Sequence, residues 1–251
     1  MARVLAQILR DCGKLSVAVL SLDDLYISRE ARARLSSAVH PLLATRGVPG
    51  THDVELGLRV VRELLSAAPT ACTRIPRFDK LTDEPRPDRA ATSFTGRADI
   101  VIFEGWCVGA RPQDTAQLAA PVNALERNAD SDGRWRRYVN EQLAGRYQQL
   151  FSMIDLLVML RAPRFESVTA WRQQQERELA ATGADTGGGS LTLRIMTADD
   201  IERFVRHFER LTRHMLVEMP ARADLVVDLD DDRKILNLKI SRALATPPPG
   251  S

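Results

Sequence analysis

The chain has 251 residues, enough for one large α/β domain or two small ones. Hydrophobic residues make up 44% and charged residues 27%, ordinary globular usage that excludes disorder for the bulk of the chain. Lys and Arg number 35 against 33 Asp and Glu, a net charge of +2, so the charge balance gives no reason to invoke nucleic acid or a membrane surface as partner. Cys12, Cys72 and Cys107 form no CxxC pair, which argues against a zinc knuckle or disulfide framework and fits a reducing cytoplasm. The opening MARVLAQILRDCGKL places Arg3, Gln7 and Arg10 among its apolar residues, unlike a signal peptide or a membrane span.

In chain order, residues 2–12 carry Val4, Leu5, Ile8, Leu9 and Cys12 at helical spacing, with Cys12-Gly13 as a stop. Residues 15–22 (LSVAVLSL) then read as a buried strand. Asp53 caps a helix bearing Val54, Leu56, Leu58, Val61, Leu64 and Leu65, and residues 73–78 read as a short strand after Pro69. Residues 99–104 (DIVIFE) form an apolar strand closed by a carboxylate. A helix over 135–151, a strand over 155–161 and a helix over 164–181 follow, then a Gly-rich linker over 182–190. Thr197 opens a long amphipathic helix to Glu218, and residues 223–229 (ADLVVDL) form a last strand before a short helix and a Pro-rich tail. Apolar strands alternating with helices predict an α/β, doubly wound parallel sheet.

In such a sheet ligands sit at the carboxyl ends of the strands. Three clusters fall there. Asp23 and Asp24 follow the first strand, the alternative being a cap for a helix beginning near Ser28. Glu104 closes residues 99–104, with Gly105 letting the backbone turn away; a carboxylate there is costly to bury unless it meets a cation or metal. The loops over 40–53 (HPLLATRGVPGTHD) and 75–87 (IPRFDKLTDEPRP) are long for connectors and bring Arg46, His52, Arg77, Asp79 and Lys80 to one sheet edge, where cations can hold a carboxylate or phosphate. Arg46 alone reads as a solvated loop residue. His207 and His214 lie seven apart on one helix with no neighbouring ligand set, and Trp135, Tyr138, Leu143, Tyr147 and Phe151 read as core.

The strings SLDDLYIS, HPLLATRGVPGTHDV, IPRFDK, FEGWCVGARP, NALE, DGRWRRYVN and RLTRHMLVEMP resemble the D-glycerate 3-kinase family, a branch of the P-loop kinases similar to uridine kinase, phosphoribulokinase and bacterial pantothenate kinase. The resemblance runs from residue 2 to residue 233. It implies one kinase domain over 1–245 with a flexible tail over 246–251. It also implies transfer of the ATP γ-phosphoryl group to a hydroxyl of D-glycerate with Mg2+ as cofactor, and no nucleic-acid or membrane partner. By the same resemblance Asp23 is the general base, Glu104 holds the magnesium or its water, and Asp24 is a second metal candidate. Arg77, Lys80, His52 and Tyr26 would grip the glycerate carboxylate and secondary hydroxyl, and Arg172 would be the lid cation that meets the transferring phosphate.

The chain departs from that family at one point. P-loop kinases carry GxxxxGK(S/T), whose backbone N–H groups cradle the phosphates. Here Gly13-Lys14 is preceded five residues earlier by Ile8 and followed by Leu15, and the glycine pair 183 and 188 is followed by Gly189 where Lys is required. ARVLAQILRDCGK resembles the helix after that loop, so the sequence is expected to be N-terminally truncated. The first strand, placed between residues 73–78 and 99–104, would be missing and the chain as written inactive. The alternatives are a non-enzymatic remnant, or a kinase of a nucleoside or pantothenate on the same scaffold; the absence of an aromatic clamp around IPRFDK weighs against a base.

Overall fold

The computed structural model of the chain describes residues 1–87, 91–174 and 198–241. They fall into two units, one of residues 1–112 with 132–153 and one of residues 113–131 with 154–251.

In the first unit, α1 (Ala2–Gly13) ends where Lys14 takes a left-handed φ of 54° and returns its N–H to the Leu9 carbonyl. Arg10 donates to the Val17 carbonyl at 2.5 Å, fixing the entry to β1 (Val17–Ser21). Strand β1 pairs in parallel with β6 (Ile100–Glu104), Val17 opposite Ile100 and Ser21 opposite Glu104. This register sets the ends of both strands level, so the residues that follow β1 and the last residue of β6 share one sheet edge. Ser28 caps α2 (Arg29–Ala38) by accepting the Ala31 N–H at 3.2 Å, so Asp23 and Asp24 are not the cap of that helix. Asp53 caps α3 (Val54–Ser66) through the Leu56 N–H at 2.9 Å, as the sequence predicts. Within α3, a β-carbon on Gly57 would lie 2.8 Å from Leu25, so the glycine lets the helix sit directly on the turn after β1. Residues 135–151, expected as one helix, are α5 (Arg134–Gln142), a π-turn over Leu143–Tyr147 and α6 (Gln148–Phe151), with Gly145 outside helical geometry. Trp135, Leu143, Tyr147, Leu150 and Phe151 are buried along this segment.

Residues 73–78 are not a strand of the parallel sheet. Strand β2 (Cys72–Ile75) pairs antiparallel with β5 (Thr92–Thr95), and after Pro76 a separate short hairpin joins β3 (Phe78–Asp79) to β4 (Glu84–Pro85). The reason lies in the side chains: β2 alternates exposed and buried residues, the pattern of a strand with one wet face, and Pro76 lacks the N–H to continue a ladder. The residues expected as a neighbouring strand of the parallel sheet therefore belong to an antiparallel pair, separate from the parallel pairing of β1 and β6.

In the second unit, β7 (Val158–Arg161) pairs in parallel with β8 (Leu225–Leu229), and β9 (Ile235–Ile240) adds antiparallel to β8. The short helix expected after residue 229 is this third strand. Asp230 accepts the N–H groups of Asp232 and Lys234 at 2.9 and 2.7 Å, and Arg233 takes a φ of 64°, so the chain reverses tightly onto the open edge of β8. Helices α4 (Ala124–Ala129), α7 (described over residues 165–174) and α8 (Ala198–Glu218) belong to this unit. The rest of the helix expected over 164–181, the linker over 182–190, the Thr197 cap and the tail over 246–251 lie outside the described residues.

Candidate active site

The site begins where β1 ends. Leu22 and Leu25 of the 3-10 turn Leu22–Leu25 are buried, which leaves Asp23 and Asp24 between them as the polar residues of the turn. Gly105 fits the role predicted for it: a β-carbon there would lie 2.6 Å from the Leu22 β-carbon, so the loop after β6 closes on the turn only because this residue is glycine. The loop over 40–53 folds back along the next residues. Asp53 N–H donates to the Leu25 carbonyl at 2.7 Å and Ile27 N–H to the Thr51 carbonyl at 3.1 Å, bringing Tyr26 and His52 opposite each other as an isolated antiparallel bridge.

Asp23 is held on both oxygens. The Tyr26 hydroxyl donates to Oδ1 at 2.8 Å and the Lys80 ammonium to Oδ2 at 2.5 Å. Burial pushes the Asp23 carboxyl up, but the hydrogen bond and charge of Lys80, with the Tyr26 hydrogen bond, outweigh it and hold the group below the ordinary carboxylate range. The result is a partly buried, ionised carboxylate with lone pairs to spare. Tyr26 is shifted the opposite way, by burial and then by the Asp23 charge, and stays a protonated donor. Asp24, expected near a metal, instead accepts Arg77 Nη1 at 2.6 Å and the Phe78 N–H at 3.0 Å, so it fastens the loop over 75–87 to the turn. Arg77 also donates from Nε to the Thr92 hydroxyl at 3.0 Å.

The tip of that loop is fixed by Asp83, which pairs with Arg32 and with Arg46. Arg32 is fully buried and also donates to the carbonyls of Ile27, Ala44 and Asp83. Arg46, read as a solvated residue, is tied to Asp83 and lies 5.7 Å over the Phe78 ring. A buried arginine meeting three backbone carbonyls is unreadable in sequence, where Arg32 looks like one more polar residue of REARARL.

His52 is buried and stacks on Tyr26 with ring centroids 4.5 Å apart. Its Nδ1 lies 2.7 Å from the Tyr147 hydroxyl, while Nε2 is buried with no hydrogen-bond partner. Burial pushes the imidazole down to about 3, only partly opposed by the Asp23 charge, so the ring is neutral near pH 7. Cys107 is also fully buried, and burial with the Asp23 charge pushes its thiol up to about 12. The sequence reading took Tyr147 only as core; its aromatic, helix-spaced neighbours gave no sign that its hydroxyl reaches the loop over 40–53.

Glu104 closes β6 opposite Ser21 and is exposed, with no ion pair among the described residues, so the expected cost of burying it does not arise. Arg172 belongs to the second unit, where its guanidinium lies 5.6 Å over the Phe204 ring. Among the described residues no group of three or more His, Cys, Asp or Glu side chains is arranged to hold a metal, and no helix is long and apolar enough to cross a membrane.

No family model matches the chain. Several curated relatives and solved structures are similar to it. An uncharacterized kinase, mug58, of Schizosaccharomyces pombe is 32% identical over 201 residues, 77% of this chain and 68% of that protein. The chloroplastic D-glycerate 3-kinase of Arabidopsis thaliana is 26% identical over 227 residues, 86% of this chain, which spans 46% of that enzyme's length. The structure of a D-glycerate 3-kinase from Cryptococcus neoformans var. grubii superposes with a TM-score of 0.72 at 24% identity, covering 96% of this chain and 85% of that one, which establishes the α/β fold with its parallel pairing. With a relative at that level of identity along two thirds of its length, the chain belongs to the family of P-loop, ATP-dependent small-molecule kinases that includes the D-glycerate 3-kinases.

Proposed function

We propose that this chain carries the acceptor side of a D-glycerate kinase, with Asp23 as the group that orients the acceptor hydroxyl and takes its proton. The observation that carries the reading is the state of Asp23: ionised, partly buried at the end of β1, and steadied by Tyr26 and Lys80 with lone pairs left over. A base of low proton affinity is useful here because phosphoryl transfer rests mainly on positioning and charge stabilisation. Lys80 and Arg77 lie on the same loop, and a glycerate carboxylate would compete with Asp23 and Asp24 for their charge. The Arabidopsis relative, named for D-glycerate, supports that acceptor over a nucleoside or pantothenate.

Mg2+ binds hard oxygen ligands and typically takes only one or two carboxylates, completing its shell with waters and phosphate oxygens. An exposed carboxylate at the strand end, Glu104, fits that habit, so Glu104 would hold the ion or its water. When bound there, Mg2+ supplies neutralisation of phosphate charge. The nucleotide has no matching cradle in this chain, because the sequence contains no GxxxxGK(S/T). Accordingly, the 251-residue chain by itself is proposed to give no measurable turnover.

A coupled ADP-release assay tests both parts. The chain as written is compared with a form carrying a strand and GxxxxGK(S/T) ahead of α1, each offered D-glycerate, uridine and pantothenate. Turnover with D-glycerate by the extended form alone is the expected result. Preference for uridine or pantothenate would overturn the acceptor, and robust turnover by the chain as written would overturn the need for the loop.

A further inference from the structure

The Tyr147 hydroxyl is the organising group of the loop over 40–53. It accepts the Gly50 N–H at 2.9 Å. Gly50 can make this approach because it holds a φ of 100° with Tyr138 packed where a β-carbon would stand, 2.7 Å away. A phenol hydroxyl also carries a proton of its own, which once buried needs an acceptor. Tyr147 is fully buried, and burial pushes its hydroxyl well above the ordinary range, so its proton stays on. Among the described residues its one hydrogen-bond contact able to accept that proton is His52 Nδ1, at 2.7 Å.

A neutral imidazole that accepts at Nδ1 carries its own proton on Nε2. That atom is buried and unpartnered, on a ring stacked against Tyr26, whose hydroxyl holds Asp23. Buried polar groups in folded proteins are nearly always paired, and an exception asks for an explanation. We propose that Tyr147 fixes His52 as the Nε2–H tautomer, which keeps one N–H donor in reserve next to Tyr26 and Asp23 for an oxygen of the acceptor. The donor role rests on the acceptor lying at Asp23, as argued above; the tautomer does not. Tyr147 is then a positioning residue, acting through His52.

The test uses the 251-residue chain with 15N-labelled histidine and a long-range proton–nitrogen spectrum at pH 7. The expected spectrum shows His52 with a protonated Nε2 and an unprotonated Nδ1. A protonated Nδ1, or averaged nitrogen shifts, would overturn the assignment. Tyr147→Phe is expected to let both tautomers populate while the signals of His40, His207 and His214 stay in place and report an intact fold. An unchanged His52 in that variant also overturns it, and the spectrum of the unaltered chain decides the tautomer even where the variant does not fold. D-Glycerate is then added while calorimetry records its binding. A shifted Nε2 proton at saturation supports the donor role, whereas heat without a shift overturns it. Absence of heat with D-glycerate, uridine and pantothenate overturns the acceptor assignment and the donor role together and leaves the tautomer decided by the free spectrum.

Discussion

Two carboxylate–cation clusters, one in each unit, use the same residue types to opposite ends. In the second unit Glu126 and Arg210 are both buried and meet as a two-pronged pair, Nε to Oε1 and Nη2 to Oε2, each at 2.7 Å. Arg210 also donates to the carbonyls of Gln117 and Ala120, Glu126 also accepts the Val122 N–H, and Asn123 caps α4 through the Glu126 N–H. In the first unit Asp23 and Lys80 are partly open, and the group beside them, His52, keeps an unpaired nitrogen. The closed network joins α4 to α8, whereas the open one leaves His52 Nε2 without a partner.

The largest expected difference between the clusters appears on acidification. His52 has a folded value of about 3 against an ordinary 6.5, so below 6.5 the unfolded chain takes up a proton that the folded chain refuses. Stability is therefore complete above 6.5 and declines as pH falls toward 3, by up to about 5 kcal/mol in all. Urea unfolding at pH 7 and pH 4.5 should show roughly 3 kcal/mol lost in the parent chain and a much flatter response in His52→Gln. Equal slopes would place the acid sensitivity elsewhere.

The closed cluster should respond to charge removal instead. Arg210→Met strands a buried carboxylate and should cost about 3–5 kcal/mol, with most of that recovered when Glu126→Leu is added. Urea midpoints of the two single variants and the double variant measure it. Failure of the double variant to recover would mean that the carbonyls of Gln117 and Ala120 need the guanidinium more than Glu126 does.

Lys80→Ala should raise the KM for D-glycerate about 10- to 100-fold in a loop-bearing form, the scale of one charge-assisted contact, with little change for ATP. It also removes the main influence holding Asp23 down, so the acid limb of the rate profile should move to higher pH. A rise confined to the ATP KM would assign Lys80 to the nucleotide. The smallest effect is at Ser28, where Ser28→Ala should cost about 1 kcal/mol in α2 without altering acceptor affinity.

Much of this was legible in the sequence, for reasons that differ by residue. Apolar runs 15–22 and 99–104 gave β1 and β6, and Asp53 announced α3, because local pattern and local structure agree there. The acidic turn after β1 and the glycine after Glu104 were readable because each answers a backbone need at a strand end. The strand over 73–78 and the helix after 229 differ from expectation because pairing decides there: Pro76 cannot continue the ladder of β2, and β9 forms because β8 offers an open edge. The distant partners of Arg32, Glu126 and Tyr147, namely Ala44, Arg210 and Gly50, could not be read at all, since they lie 12, 84 and 97 residues away along the chain.

The central claim is that Asp23 takes the acceptor proton. It is tested most directly by Asp23→Asn in a form of the protein carrying the phosphate-binding loop, assayed for ADP release with D-glycerate. Asparagine keeps the size and one acceptor oxygen for Tyr26 but cannot take a proton. In that variant kcat should fall by roughly 10²–10⁴ while ATP affinity is unchanged. Turnover close to that of the parent enzyme would contradict it.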